Sequence, residues 1–333
     1  ASKVNYIKLD SPPSDMIMEE NGFLILLMGI MDPNDQSLGR LVRVTGPLHK
    51  QEIVIDSLQR PVHIERSDLN NDSRDDLVIC AFGNYTGALL ICENKGDGYI
   101  KHTLSPSAGA RKTIARDLNN DGLTDILALL TQGDERLILY TNKGNMQFEE
   151  KVLLRFPPVY GSSYFEIADF NNDAHFDILY TNGDNADYSK VLKPYHGVRI
   201  FENDGKNNFK ETLFFQMPGA SQAKARDFDQ DGDIDIAAVS FFPDFLKHPE
   251  QSFIYLENTG ENKFTAQTTY SALAGRWFLM ETYDHDKDGD TDIILGALNF
   301  NTGAPSSQYA NWLKQKSSLL LLRNSNKDLT SPQ

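Results

Sequence analysis

The nine residues from Asp227, DFDQDGDID, and the nine from Asp284, DHDKDGDTD, follow one rule: a carboxylate at every odd position and a glycine at the sixth. The rule recurs in weaker form three times upstream, as DLNNDSRDD from Asp68, DLNNDGLTD from Asp117 and DFNNDAHFD from Asp169. The five starts are 49, 52, 58 and 57 residues apart, a mean of 54. Self-similarity at a period of this size marks a repeat architecture. A second feature runs in phase with it. A β-rich stretch ends in a polar, Asn-containing turn at 91–98, 139–145, 200–208, 255–263 and 321–327, and Asn with Gly suits a tight hairpin.

Each repeat parses into four short strands; in the second repeat they fall at about 62–66, 76–82, 88–93 and 99–104. The second strands, LVICAF, DILALL and DIILGAL among them, are near-continuous apolar runs. Such runs imply burial on both faces. No stretch shows the length and period of an amphipathic helix. Four-stranded units at this spacing point to the blades of a β-propeller. Residues 16–58 also read as strands and supply a further blade, with only Glu19-Glu20-Asn21-Gly22 in place of the nine-residue loop, so no metal is expected there. The last repeat ends after its third strand, and Tyr6-Ile7-Lys8 repeats the outer-strand triplet Tyr99-Ile100-Lys101. An N-terminal strand at 4–9 would close the last blade and remove an exposed sheet edge. The expectation is an all-β, six-bladed propeller of four-stranded antiparallel blades, with seven blades as the alternative. The blades fall at about 11–58, 59–105, 106–155, 156–216, 217–270, and 271–327 plus 4–9, in a single domain over 1–333.

Composition limits the function. The net charge is −15, from 47 acidic and 32 basic residues. A basic footprint for nucleic acid is therefore not expected. The five loops hold 20 of the 47 acids, a density of like charge that calls for a cation among them. The longest apolar run, residues 23–31, is far short of the roughly 20 residues of a membrane span. No signal peptide is visible at Ala1, as for a chain that begins after processing or was cut from a longer one. Cys80 and Cys92 lie on neighbouring strands, either as a cross-strand disulfide or as two buried thiols. The thiols are favoured, because unpaired cysteine behaves as a small core residue.

The loop pattern D-x-[DN]-x-D-x-x-x-D suits hard Ca²⁺, which takes six to eight oxygens. Positions 1, 3 and 5 can point at one centre, the carbonyl of position 7 can join them, and position 9 can close the shell. The side-chain ligands would be Asp68, Asn70, Asp72 and Asp76; Asp117, Asn119, Asp121 and Asp125; Asp169, Asn171, Asp173 and Asp177; Asp227, Asp229, Asp231 and Asp235; Asp284, Asp286, Asp288 and Asp292. An EF-hand would need Glu at position 12 and flanking helices. Position 12 is Ile79, Ala128, Tyr180, Ala238 and Leu295, each inside an apolar strand. Acidic turns without metal are the competing reading for any one loop, but five in register weigh against it.

On these DxDxDGxxD loops, with the fragments Phe82-Gly83 and Gly303-Ala304-Pro305, the chain resembles the FG-GAP or VCBS-type repeats that build the integrin-α propeller, several lectins and many bacterial secreted proteins. The resemblance covers nearly the whole chain. It implies about five mainly structural Ca²⁺ sites between first and second strands. Weak Ca²⁺ sites fill only where calcium is near millimolar, which points to an extracellular, periplasmic or cell-surface location. Two loops depart from the pattern, with Ser73 and Ala174 where Gly122, Gly232 and Gly289 suit a positive φ. Loops one to three also carry Asn at position 3, so loops four and five should bind most tightly.

If the metal loops join strands one and two, the loops joining strands two and three lie on the other face. Four of these are long, at 31–39, 182–197, 241–251 and 299–316. They and the neighbouring first strand carry Tyr188, Tyr195, His196, Phe245, His248, Arg276, Trp277, Tyr309 and Trp312, side chains suited to stacking on a sugar or anchoring a protein. Packing of the loops on the blades is the plainer reading of the same residues. The first strands alternate polar and apolar, with His63/Glu65, Lys112/Ile114, Tyr164/Glu166, Gln222/Lys224 and Leu279/Glu281 on one side. That side suits a wet central channel. No GxSxG, HExxH, phosphate-binding loop or dinucleotide fingerprint occurs. The leading expectation is a calcium-stabilised binding module for glycan or protein. A polysaccharide lyase or hydrolase with a site at the channel mouth, and a scaffold segment of a larger secreted protein, are the alternatives.

Overall fold

A computed structural model describes residues 6–46, 50–184, 191–301 and 303–325. The chain is a six-bladed β-propeller and divides into two compact units, 1–158 and 159–333. The first unit holds three blades: β1 (Pro13–Glu19), β2 (Gly22–Leu27), β3 (Gly39–Thr45) and β4 (Lys50–Leu58); β5 (Pro61–Ser67), β6 (Asp76–Ala81), β7 (Ala88–Asn94) and β8 (Tyr99–Ser105); β9 (Ala110–Arg116), β10 (Asp125–Leu130), β11 (Glu135–Asn142) and β12 (Phe148–Phe156). The second holds β13 (Ser162–Ala168), β14 (Asp177–Asn182), β15 (Gly197–Asn203) and β16 (Phe209–Gln216); β17 (Ala220–Arg226), β18 (Asp235–Ser240), β19 (Phe253–Asn258) and β20 (Phe264–Gln267); β21 (Trp277–Tyr283), β22 (Asp292–Ala297) and β23 (Leu319–Leu322). Every sheet is an antiparallel meander in chain order.

The second strands behave as their sequences require. All six residues of β6, β10, β14 and β18 are buried. Alternate residues enter the cores on either side of the blade. In the first unit one core joins Leu24, Leu26 and Leu41 of the first blade to Ile64, Leu77 and Ile79 of the second, and the next joins Val78 and Ile91 to Ile126 and Ile138. In the second unit Leu179 and Ile200 pack with Ile236 and Leu256, and Val239 with Trp277 and Leu295. The same alternation settles the cysteines. Cys80 pairs in register with Leu89, and Cys92 with Leu77. The two thiols therefore enter different cores and are free and buried.

Two expectations are corrected. No fourth strand on the last sheet is seen among the described residues. Residues 6–9 make no ladder. Ile7 and Leu9 pack instead on Phe23, Ile25, Leu27, Val42 and Val44 of the first blade, and Gln51 Nε2 donates to the Lys8 carbonyl at 2.8 Å. Two alternating apolar side chains find cover there without an edge to pair with. The long connection after β22 contains a helix, α1 (Ser306–Gln315). Its one buried anchor, Trp312, is too little to give a helical period in the sequence. No described helix is long and apolar enough to cross a membrane.

Candidate metal sites

Each nine-residue loop joins the first and second strands of its blade and is wound by its own carboxylates. The position 1 carboxylate accepts the N–H of position 6: Ser73 on Asp68 at 2.8 Å, Gly122 on Asp117 at 2.8 Å, Ala174 on Asp169 at 2.9 Å, and Gly232 on Asp227 and Gly289 on Asp284 at 3.1 Å. Position 5 accepts the N–H of position 7, at 2.9–3.1 Å in all five. Position 6 has positive φ throughout, including 65° at Ser73 and 68° at Ala174, a conformation that costs a side chain roughly 1–2 kcal/mol.

Position 9 has a second task that the motif did not reveal. Asp76, Asp125, Asp177, Asp235 and Asp292 are buried, and both oxygens of each accept a backbone N–H. One comes from position 2, namely Leu69, Leu118, Phe170, Phe228 and His285, at 2.9–3.3 Å. The other comes from the Asn ending the third strand or just after it, namely Asn94, Asn142, Asn203, Asn258 and Asn324, each at 2.8 Å. A carboxylate oxygen has two lone pairs, so these oxygens can still face a cation while they hold the strands. Burial pushes the Asp76, Asp125, Asp177 and Asp235 carboxyls upward against those N–H donors.

The five loops separate by what is left over. In loops one to three the second oxygen of position 1 is taken by the N–H of position 5, Asp72 on Asp68, Asp121 on Asp117 and Asp173 on Asp169. In loops four and five the corresponding oxygens, Asp227 Oδ1 and Asp284 Oδ1, are buried with no hydrogen-bond partner. The same loops bring three carboxylates together with oxygens within 4.8 Å of one another: Asp227, Asp229 and Asp235, and Asp284, Asp286 and Asp288. Burial, then the charges of Asp235, Asp231 and Asp227, raise the Asp229 carboxyl to about 6, although the Asp231 N–H favours its anion. An all-oxygen, strongly anionic donor set fits Ca²⁺. Loop one is the least suited, because Arg74 Nη2 lies 2.5 Å from Asp72 Oδ2. In the first blade Glu19 pairs with Arg43 at 2.9 Å instead.

The residues proposed for a ligand are scattered by the structure. Trp277, Trp312, His196 and Arg276 are buried. Trp277 Nε1 donates to the Ala272 carbonyl at 2.7 Å and Trp312 Nε1 to Leu273 at 3.2 Å. The Arg276 guanidinium lies over the rings of Phe241, Phe242 and Phe245 at 3.9–5.5 Å and donates to the carbonyls of Phe241 and Phe300. It ties the β18–β19 loop to the β22–β23 loop. Burial, helped by Lys193, lowers the His196 imidazole to about 4. Tyr195 stacks on Tyr160 at 4.6 Å, and Phe245 meets Trp312 at 5.9 Å; both are half-buried, as is Tyr309. His248 is exposed beside Glu250 at 3.1 Å. Tyr188 lies outside the described residues. Leu246, Tyr270 and Leu313, which sequence reading passed over, are among the exposed apolar side chains around these loops, at 84%, 95% and 53%, with Val191, Leu192 and Phe300 beside them. Their exposure follows from the neighbours that turn inward, and no local signal carries it.

The polar first strands are internally paired. In the first unit His63 Nδ1 lies 2.8 Å from Asp15 Oδ2 and its Nε2 3.2 Å from the Thr113 carbonyl. In the second, Lys224 lies 3.1 Å from Glu281 and 3.6 Å from Glu166, which also takes Arg226 at 3.1 Å.

A family model described as FG-GAP-like repeat matches residues 68–128, 117–180 and 227–295. No curated protein matches the chain by sequence. Among solved structures, BBS1N in complex with ARL6DN is 10% identical with a TM-score of 0.50, covering 84% of this chain and 74% of its own. A protein from Lactobacillus plantarum is 11% identical with a TM-score of 0.53, covering 87% and 78%. At such identities the likeness is one of fold.

Proposed function

The chain belongs to the FG-GAP-like repeat family, and from that premise we propose that it is a calcium-stabilised binding module working outside the cytoplasm, with a glycan or a protein as its ligand. The observation that carries the calcium is the contrast between loops. Position 1 is satisfied by the backbone in loops one to three and left with a buried, unpartnered oxygen in loops four and five. Buried polar atoms are nearly always satisfied, and a carboxylate oxygen left without a donor in a cluster of like charges is a place where a cation would supply what is missing. Ligand binding is assigned to the connections β14–β15, β18–β19 and β22–β23 of the second unit. In each blade the metal loop and the long loop leave opposite ends of a six-residue second strand, about 20 Å apart. The metal thus stiffens the scaffold and leaves recognition to the other end.

Melting of the full chain in EDTA and in millimolar Ca²⁺ tests the first half. Calcium at 100 times its dissociation constant should stabilise by about 2.7 kcal/mol per site; equal melting temperatures would remove calcium from the reading. A glycan array probed in Ca²⁺, with Leu246→Ser and Tyr270→Ser beside the wild type, tests the second. A bound and unchanged glycan, lost in the variants, supports a glycan module. A cleaved glycan points to an enzyme, and silence to a protein ligand or a scaffold.

A further inference from the structure

Loop five differs from the other four at its seventh position. Arg74, Leu123, His175 and Asp233 stand there in loops one to four, none of them buried. Asp290 stands there in loop five, 2% exposed, and neither of its carboxylate oxygens has a hydrogen-bond partner. The charged groups that act on it are carboxylates: Asp288 foremost, which its side chain meets, then Asp292 and Asp286. Asp292 is already committed to the N–H groups of His285 and Asn324, and Arg323 reaches Asp286 rather than Asp290. The backbone there is not free to rearrange. The Asp290 N–H donates to Asp288 Oδ1 at 3.1 Å, and the Gly289 carbonyl before it accepts Gln230 Nε2 from loop four at 2.8 Å.

A buried carboxylate with no donor, set among other carboxylates, is among the costliest groups a protein can carry. Neither of its oxygens meets an N–H donor, the group against it being the Asp288 carboxylate, and Asp284 Oδ1 in the same loop has no donor either. We propose that the Asp290 side chain is a direct metal ligand, so that loop five is a five-carboxylate Ca²⁺ site of Asp284, Asp286, Asp288, Asp290 and Asp292. This rests on the calcium reading above and adds to it a ligand that the repeat motif does not contain. Calcium affinity rises with the charge of the ligand set and the rigidity of the loop, so loop five is the tightest of the five sites. It also selects calcium over magnesium, because Mg²⁺ demands a small octahedron and holds its waters too firmly for a crowded carboxylate cage.

The test is a calorimetric Ca²⁺ titration of the full chain as wild type, Asp290→Asn, Asp288→Asn and Asp233→Asn, with melting temperatures in EDTA. Asp290→Asn is expected to weaken the tightest class of sites by about tenfold or more. In EDTA it should melt at or above the wild type, because the unpartnered charge is gone. Asp288→Asn marks the loop-five site, and Asp233→Asn leaves that site unchanged. If Asp288→Asn loses a site that Asp290→Asn keeps at wild-type affinity, Asp290 is no ligand and the calcium reading stands. If the wild type takes up no calcium, both fall. Tight Mg²⁺ binding at the loop-five site would overturn the selectivity.

Discussion

His63 shows how one residue can couple two blades through its charge. Its imidazole meets Asp15 of β1 and, at 3.5 Å, Glu65 of its own strand, and Asp15 also accepts the Ile64 N–H at 3.0 Å. Burial and Lys112 of β9 work against the imidazolium, but the hydrogen bonds to Asp15 and Glu65 outweigh them and hold its pKa above the ordinary 6.5. Burial likewise works to raise Asp15, and His63 with two backbone N–H groups brings it below the ordinary 3.8. A raised histidine contributes stability that is fully present below pH 6.5 and lost as pH rises through the folded value. A lowered aspartate contributes above pH 3.8 and loses its share as pH falls through its own folded value. Melting temperatures of His63→Gln and wild type should therefore differ most between about pH 4 and 6.5 and converge above it. A gap that stays the same as pH rises past the folded value would show that the ion pair is not what couples the blades. The polar character of position 63 was legible from strand alternation. Its partner was not, because Asp15 is 48 residues away.

At the scale of the element, the loop and the turn form one unit. The recurring Asn reads in sequence as a hairpin residue, and it is one: its side chain accepts the turn N–H two residues on in four blades, as Asn142 does from Gly144 at 2.9 Å. In two blades it does more. Asn142 Nδ2 donates to the Leu69 carbonyl of the preceding blade at 2.8 Å and to Thr124 at 3.0 Å, and Asn324 Nδ2 reaches the Phe228 carbonyl at 2.5 Å. These amides bolt one acidic loop to the next. Asn142→Ala should destabilise by about 2–3 kcal/mol, since it leaves buried carbonyls unpaired. Asn94→Ala removes an amide that reaches only its own exposed loop and should cost about 1 kcal/mol or less. Denaturant unfolding of both variants measures the difference, and equal losses would remove the inter-blade bond from the account. The second strands and the loop boundaries were legible because burial on two faces and five-fold repetition both write themselves into residue type. Helix α1 was not, having a single buried anchor.

Over the whole molecule the dominant sign is negative. With −15 overall and 20 of 47 acids in five loops, the metal-free chain works against its own charge. Added monovalent salt should raise the metal-free melting temperature, by about 2 °C for each kcal/mol of repulsion screened. The calcium-loaded protein should respond less, since five bound ions would bring the formal charge to −5. Equal salt responses would place the repulsion elsewhere.

What the residues determined by themselves was the repeat: its period, where each strand pair turns, and which residues carry the carboxylates of each loop. These follow from local periodicity and from charge too dense to leave unpaired. The tertiary structure decided which of those oxygens have protein partners and which do not. It turned Arg276, Trp277, Trp312 and His196 inward, sent residues 6–9 to the first blade, and left Asp290 buried with no donor. Each of these depends on contacts between residues distant in the chain, and burial at such a place is set by what packs against it rather than by what precedes it.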